Sequence, residues 1–338
     1  MADQDSSIGS SQSPLPFTHS SLPAPTSTIQ RRAVIDVGTN SVKLLLADVT
    51  GAGVEPVLER SEQTRLGRGF YDAHRLQPAA IESTARAVAQ FAAEARVGSA
   101  ARIRVIATSA ARDATNAGEL TQAIAHQAGL PTEIISGEQE AEWVFQGVAS
   151  DASFGQQRLL LLDVGGGSTE FILGERGHHV FRQSFPLGSV RLLERLRPGN
   201  PPTTEDLARC RTWLKSFFEQ SIADLLETFL TAPGHGEAQL VGTGGAATIL
   251  ARMEARMDGY DRATIERTRL SRARVNHHMD RLWSLGLAER QTIVGMPRDR
   301  ADIVPLGVAI YETVMEHFGF PALRVSTRGL RFGAVLAS

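Results

Sequence analysis

One thirteen-residue pattern occurs twice in this sequence and constrains the fold more than any other feature. The segments VIDVGTNSVKLLL, at 34–46, and LLDVGGGSTEFIL, at 161–173, align without a gap. In each copy an apolar strand ends at an aspartate, the chain turns through glycine and serine, and a second apolar strand follows. Two copies of one hairpin predict two related lobes that present the same loop to a shared cleft.

The rest of the chain alternates strand and helix signals, which favours an α/β architecture. A single hydrophobic core stops growing at roughly 250 residues, so the length of 338 residues also indicates two lobes. Residues 1–30 are rich in Ser, Pro, Thr and Gln and have few aliphatic residues. Such a segment cannot bury enough apolar surface to offset the entropy of ordering, so we predict a disordered N-terminal tail.

The glycines of the repeat, and those of a third loop in LVGTGGAATIL at 240–250, predict phosphate binding. Glycines after a strand allow backbone N–H groups to converge on a concavity that binds phosphate oxygens. Tight hairpin turns use the same residues, but they do not require an acid before the glycines in both copies. The predicted phosphate-binding residues are Gly38, Thr39, Asn40, Ser41, Lys43, Gly165, Gly166, Gly167, Ser168, Gly242, Gly244 and Gly245.

The acids of the two hairpins predict a metal site. Mg²⁺ prefers one or two carboxylates together with water and substrate phosphate oxygens. Asp163 ends a strand, Glu170 lies seven residues on across the hairpin, and Asp36 is the matching acid of the first copy. We therefore predict that these three residues bind Mg²⁺, with Mn²⁺ as the alternative ion. Turn capping by the aspartates is the competing interpretation.

Five further residues are candidates for catalysis or phosphate contact. Glu138 and Glu140 open a predicted helix, where the helix dipole and capping also favour carboxylates. Their place at the connection between the lobes favours a catalytic role for one of them. Arg112, in the polar loop SAARDATNA, could donate two hydrogen bonds to a phosphate or lie on the surface. Arg65 and Arg68 are weaker candidates of the same kind.

Charge and composition exclude several classes of protein. The formal net charge of −2 leaves no general basic surface, so a nucleic-acid partner is not expected. No apolar run approaches the roughly 20 residues needed to cross a bilayer, and the N-terminus has no secretory signal. Cys210 is the only cysteine, which excludes an internal disulfide and fits a reducing compartment, so we expect a cytoplasmic protein.

Seven motifs in one order resemble the exopolyphosphatase and guanosine pentaphosphate phosphohydrolase (Ppx/GppA) family of the actin and hexokinase fold superfamily. They are DVGTNSVKLLL, ATSAARDATN, SGEQEAEWVFQGV, LLDVGGGSTEF, PLGSVRL, VGTGGAATILA and STRGLRFG. The resemblance extends from about Arg31 to the C-terminus and is to the short, two-domain type. It implies two ribonuclease H-like lobes: residues 31–150 with a C-terminal segment of about 302–338 in lobe I, and residues 151–301 in lobe II.

The resemblance also implies roles for the site residues. Glu140 is similar to the family's catalytic base, Arg112 to its phosphate-contacting arginine, and Asp163 and Glu170 to its Mg²⁺-associated acids. In one respect the chain departs from the family pattern: Thr327 and Phe332 stand where members often have acids.

The activity that the resemblance implies is Mg²⁺-dependent release of terminal orthophosphate from inorganic polyphosphate. Hydrolysis of guanosine pentaphosphate is the main alternative, because both substrates end in the same anhydride bond. A small-molecule kinase and a nucleotide sensor of the same fold are further alternatives, and a homodimer is left open.

Overall fold

Two mixed β-sheets organise the computed structural model, which describes residues 29–51, 53–231 and 237–338. The predicted disordered tail lies outside the described residues except for its last two positions, and Gln30 is already part of the first strand. No helix among the described residues is long and apolar enough to cross a membrane.

Five strands form the first sheet: β1 (Gln30–Val37), β2 (Val42–Thr50), β3 (Gly53–Glu62), β4 (Arg102–Ala107) and β5 (Thr132–Ile134). Their spatial order is β3-β2-β1-β4-β5, with β1, β2 and β3 antiparallel and with β4 and β5 parallel to β1. The connecting helices are α1 (Pro78–Val97), α2 (Ser109–Arg112) and α3 (Ala117–Ala128). Ile35 faces the core under α1 and α3, and its neighbour Val34 faces a second core on the other side. Both faces are covered, which explains why β1 is apolar throughout its inner half.

The second sheet repeats this arrangement with one additional strand. Its strands are β6 (Leu159–Val164), β7 (Thr169–Glu175), β8 (His178–Phe185), β9 (Gln239–Thr243), β10 (Arg269–Ser271) and β11 (Ala322–Val325). The order is β10-β11-β9-β6-β7-β8, so β8-β7-β6-β9-β11 matches β3-β2-β1-β4-β5 of the first sheet. The duplication predicted from the repeated hairpin is therefore confirmed at the level of topology.

Helices cover the second sheet and separate it from the first. One layer contains α6 (Ser189–Leu196), α7 (Thr204–Ser221), α8 (Ala223–Leu230), α9 (Gly244–Ala255), α11 (Arg272–Ser284) and α13 (Val304–His317). The shorter helices are α5 (Ala152–Gly155), α10 (Arg262–Arg267) and α12 (Leu287–Arg290). Between the sheets lie α4 (Gly137–Ala149) and α14 (Leu330–Leu336), which pack against each other. Their core includes Leu45 of the first sheet and Leu161 of the second, so the lobes share one apolar centre.

The C-terminal segment divides between the lobes differently from the sequence-based prediction. The resemblance placed about 302–338 in lobe I, but β11 pairs with β9 and β10, and α13 packs against α6, α7, α9 and α11. Every residue from Val304 to Met315 is buried, so α13 requires cover on all sides, which the second lobe provides. Of the C-terminal elements, α14 packs against β1 and β2 of the first lobe. For α13 and β11 the prediction was wrong.

Candidate active site

The two repeated hairpins face each other across a cleft of about 520 Å³. We call Gly38–Ser41, between β1 and β2, loop 1, and Gly165–Ser168, between β6 and β7, loop 2. Each loop is closed by the same hydrogen bond: the first glycine N–H donates to the serine carbonyl oxygen at 3.0 Å, in both copies. The sequence repeat therefore produces the same backbone turn in both lobes, and both turns line the cleft.

All predicted phosphate-binding residues line the cleft except Gly242. Gly242 lies within β9, where an added Cβ would be 2.8 Å from Cε1 of Tyr311. The Tyr311 hydroxyl in turn donates to the carbonyl oxygen of Thr243 at 3.0 Å. Gly242 thus allows a buried tyrosine to pack against the strand, and the structure does not bring it to the cleft with the other predicted residues.

Replacing Gly242 should weaken the fold without removing a group from the cleft. We expect Gly242→Ala to lower the free energy of unfolding by about 1 to 3 kcal/mol, the usual cost of overpacking a core, because its Cβ would clash with the Tyr311 ring. Gly118→Ala is the matched control, since an added Cβ there meets no atom within 4 Å and lies in α3. Chemical denaturation measures both, and equal stability of the two variants would contradict this packing role.

The hairpin register brings charged side chains together in pairs. Asp36 is directly opposite Lys43 across β1 and β2, and Asp163 is directly opposite Glu170 across β6 and β7. Directly opposite residues in antiparallel strands point to the same face of the sheet. The same position of the repeat therefore carries a base in the first lobe and an acid in the second, and all four residues line the cleft.

Four carboxyl groups meet in this cleft, and burial raises the pKa of each. The pKa of Glu140 rises to about 7 and that of Asp163 to about 6. The pKa values of Glu170 and Asp36 are also raised, mainly by burial. The positive charge of Lys43 acts in the opposite direction on Asp36 and Asp163. This concentration of negative charge favours protons or cations within the cleft.

Glu140 is held in the cleft by the start of α4 and by Arg112. The Ser136 hydroxyl caps α4 by accepting a hydrogen bond from the Gln139 N–H at 3.1 Å. With this start, Glu138 is exposed to solvent whereas Glu140 is 7% exposed and faces the cleft. Arg112 Nη1 donates to Glu140 Oε2 at 2.9 Å. The structure thus brings Arg112 to the predicted base, and Arg112 does not itself line the cleft.

The carboxylates fit a hard divalent cation, although they do not form a closed metal site. Among the residues that the structure describes, no three His, Cys, Asp or Glu side chains are grouped as metal ligands. Asp36 Oδ1 is buried and has no hydrogen-bond partner. Mg²⁺ needs only one or two protein carboxylates when water and phosphate oxygens complete its octahedron. The oxygen donors of Asp36, Asp163 and Glu170 suit that chemistry as an open site.

The cleft is also lined by arginines that were not predicted from the sequence, and Arg300 and Arg331 are two of them. Arg300 Nη2 donates to the hydroxyls of Ser41 and Ser61, each at 2.9 Å, and burial lowers its pKa. Arg331 Nη1 donates to the carbonyl oxygen of Leu44 at 2.7 Å. Arg331 belongs to the STRGLRFG motif, which could have drawn attention to it, whereas Arg300 has no comparable local signal.

The fold and the site define a class of protein. Two duplicated ribonuclease H-like lobes, with glycine loops and buried carboxylates in the cleft between them, are the architecture of the actin and hexokinase superfamily. Within that class the chain belongs to the Ppx/GppA phosphatase family, whose model matches residues 45–338.

Individual relatives cover nearly the whole chain. Exopolyphosphatase 2 of Mycobacterium tuberculosis is 32% identical over 324 residues, which are 91% of this chain and 98% of that protein. A crystal structure of an exopolyphosphatase from Cytophaga hutchinsonii is similar with a TM-score of 0.81 and 26% identity, covering 91% of this chain and 97% of the other. The Aquifex aeolicus Ppx/GppA family member has a TM-score of 0.73 and 29% identity, with 92% and 97% covered.

Proposed function

We propose that this protein is an exopolyphosphatase that hydrolyses the terminal phosphoanhydride bond of inorganic polyphosphate. The observation that carries the proposal is the position of Glu140, a buried carboxyl with a pKa of about 7 in a cleft lined by loop 1 and loop 2. A general base is most effective when its pKa lies near the working pH. The 32% identity with exopolyphosphatase 2 of Mycobacterium tuberculosis supports the choice of substrate.

Backbone and basic groups of the cleft would bind the phosphates. Loop 1 and loop 2 each offer backbone N–H groups, and α9 begins in the cleft at Gly244, whose φ of +82° favours glycine. Helix N-termini and such turns attract phosphate oxygens. Lys43 and Arg300 add positive charge on the side of loop 1. Phosphoryl transfer depends mainly on positioning and electrostatics, which this arrangement provides.

Glu140 would orient the attacking water and accept its proton on a carboxylate oxygen. The hydrogen bond from Arg112 fixes one oxygen of Glu140 and leaves the other for water. Asp163 and Glu170, with Asp36 opposite, would hold Mg²⁺ or Mn²⁺, which would neutralise phosphate charge. The burial of these acids supports this role, because a bound cation would relieve the cost of ionising them together.

Hydrolysis of guanosine pentaphosphate is a second candidate function, and one aromatic side chain of the cleft favours it. Among the described residues of the cleft, Tyr260 is the single aromatic side chain, and it is 51% exposed. Ile249 and Pro297 line the same cleft. A guanine base could stack on Tyr260, but only one stacking surface is available, so polyphosphate remains the first proposal.

A comparison of substrates tests the two candidates. We expect phosphate release from long polyphosphate and tripolyphosphate with Mg²⁺, at a kcat/KM above those for guanosine pentaphosphate and ATP. A clear preference for guanosine pentaphosphate that falls on Tyr260→Ala would replace the first proposal with the second. Transfer of phosphate from ATP to a sugar would indicate a kinase, and nucleotide binding without turnover of any substrate would indicate a sensor.

A further inference from the structure

A segment of lobe I that does not line the cleft is bound to the back of loop 1. It comprises residues 65–72, between β3 and α1. The Arg65 N–H donates to the carbonyl oxygen of Asn40 at 3.0 Å, and the Gly67 N–H donates to that of Thr39 at 2.7 Å. Movement of this segment therefore moves loop 1.

The helix α6 is bound to loop 2 in the corresponding way. The Val190 N–H donates to the carbonyl oxygen of Gly166 at 2.8 Å, and Arg191 Nε donates to that of Gly167 at 2.8 Å. Loop 2 and α6 thus form one unit in the second lobe.

Glu194 of α6 joins these two units across the lobes. Its carboxylate accepts the Gly69 N–H at 2.5 Å on one oxygen and the Tyr71 N–H at 3.2 Å on the other. Hydrogen bonds from backbone N–H groups to a carboxylate are among the stronger kinds in proteins. One side chain therefore fixes the segment behind loop 1 relative to the helix behind loop 2.

Arg191 makes a second connection from the same helix. Its Nη2 donates to Asp113 Oδ2 at 2.8 Å, and its guanidinium lies 4.3 Å from the centre of the Tyr71 ring. Asp113 directly follows Arg112, the residue that holds Glu140. Arg191 thus connects loop 2 to the part of lobe I that orients the proposed base.

The distance between the loops is short, which makes it sensitive to these connections. A Cβ on Gly167 would lie 2.7 Å from Thr39 Oγ1, and a Cβ on Gly166 would lie 3.1 Å from Thr39 Cβ. The glycines of loop 2 therefore leave room for the Thr39 side chain of the other lobe. A small shift between the lobes would open this contact.

We propose that Arg191 and Glu194 are positioning residues that set the separation of loop 1 and loop 2 for the reaction. The proposal rests on the function proposed above, in which the reacting phosphate is held between the loops. Loss of Glu194 would leave the individual phosphate contacts in place but let the two loops drift apart. The attacked phosphate would then lose its alignment, whereas the phosphates farther along the chain would still bind.

Glu194→Ala should therefore lower kcat rather than raise KM. A misplacement of about 1 Å can cost about 10²-fold in rate, so we expect kcat for tripolyphosphate to fall roughly 10- to 100-fold with KM within about 3-fold. Glu194→Gln should restore kcat in part, since its one carbonyl oxygen accepts one of the two N–H groups. Arg197→Ala is the control: Arg197 also bridges the lobes, to Asp72 at 2.9 Å, but the two side chains are 69% and 76% exposed.

A distance measurement tests the same inference without turnover. Spin labels on Arg86→Cys and Lys215→Cys, both highly exposed, report the separation of the lobes. The native Cys210 is buried with its thiol pKa raised to about 12, so it should not be labelled. We expect a broader or longer distance distribution with Glu194→Ala and the wild-type distribution with Arg197→Ala.

Either of two results would overturn the positioning role: a wild-type kcat in Glu194→Ala, or a wild-type distance distribution in that variant. If the unmodified protein releases phosphate from neither long polyphosphate nor tripolyphosphate, the proposed function fails, and the distance measurement still decides whether Glu194 sets the loop separation.

Discussion

Glu140→Gln should lower kcat by about 10² to 10⁴, the usual contribution of a general base. The amide keeps the size of the side chain and can still accept the hydrogen bond from Arg112, now made at 2.9 Å to the carboxylate. It cannot take a proton from water, so the loss should appear in the chemical step. Steady-state phosphate release from polyphosphate with Mg²⁺ measures it, and a variant with more than half the wild-type activity would contradict the assignment.

The neighbouring Glu138 provides the control. It lies on the same first turn of α4 but is exposed, so Glu138→Gln should keep wild-type kcat. Stability should not account for the difference, because burial raises the pKa of Glu140 to about 7 and makes its ionised form the less favourable one in the fold. The cost of ionising Glu140 is absent below its pKa in the unfolded chain and is complete above its pKa in the folded protein. At pH 8 the Glu140→Gln protein should therefore be at least as stable as wild type, so a fall in kcat would not reflect unfolding.

The pH profile should identify the same group. Only the carboxylate can act as a base, so kcat/KM of the wild type should rise as pH increases through about 7. The residual activity of Glu140→Gln should lack this rise.

The features that the sequence predicted correctly are local ones. A strand, a turn and a strand follow one another in each hairpin, so the repeat predicts both loops and, through the register, the pairing of Asp163 with Glu170. The choice of Glu140 over Glu138 came from the family resemblance, and in the structure the helix start at Ser136 leaves Glu138 exposed and places Glu140 in the cleft.

The features that it missed depend on distant parts of the chain. Gly242 belongs to the same glycine string as Gly244, and only the ring of Tyr311 distinguishes their roles. Arg300 reaches loop 1 from a 3-10 turn that precedes α13 by a few residues. Neither contact follows from spacing or periodicity, because each joins segments that lie far apart in the sequence and that only the complete fold brings together.

The two positions that depart from the family pattern show a similar dependence on context. Thr327 hydrogen-bonds with Glu266 and Arg262, and Phe332 is fully buried with the Arg262 guanidinium 5.0 Å from its ring centre. Glu59 of β3 pairs with Arg262 and also with Arg331, at 3.1 Å for the latter. Glu59 and Glu266 thus provide the carboxylates that pair with Arg262 and Arg331. The absence of acids at 327 and 332 therefore leaves neither arginine unpaired.

Mg²⁺ should stabilise the protein against heat, and Asp163→Asn should abolish this effect together with most of the activity. A ligand present at about 100 times its Kd adds about 2.7 kcal/mol of stability, which corresponds to a rise in Tm of roughly 5 °C for a chain of this size. Asp163 lines the cleft opposite Glu170 and is one of the carboxylates proposed to hold the ion. The matched control is Asp224→Asn, because Asp224 is an exposed acid of the same lobe on α8.

In the metal-free protein, Asp163→Asn should raise the Tm above that of wild type, and the size of this rise depends on pH. Burial raises the pKa of Asp163 to about 6, so ionising it destabilises the fold progressively from about pH 4 to pH 6 and by a constant amount above. Asp163→Asn removes that cost, and at pH 8 with a chelator its Tm should exceed that of wild type, whereas at pH 4 the two should be equal. Thermal unfolding with Mg²⁺ and with chelator at both pH values measures all four cases. An undiminished Mg²⁺ effect in Asp163→Asn would remove Asp163 from the metal site, and a lower Tm of the metal-free variant at pH 8 would show that its carboxylate stabilises the fold instead.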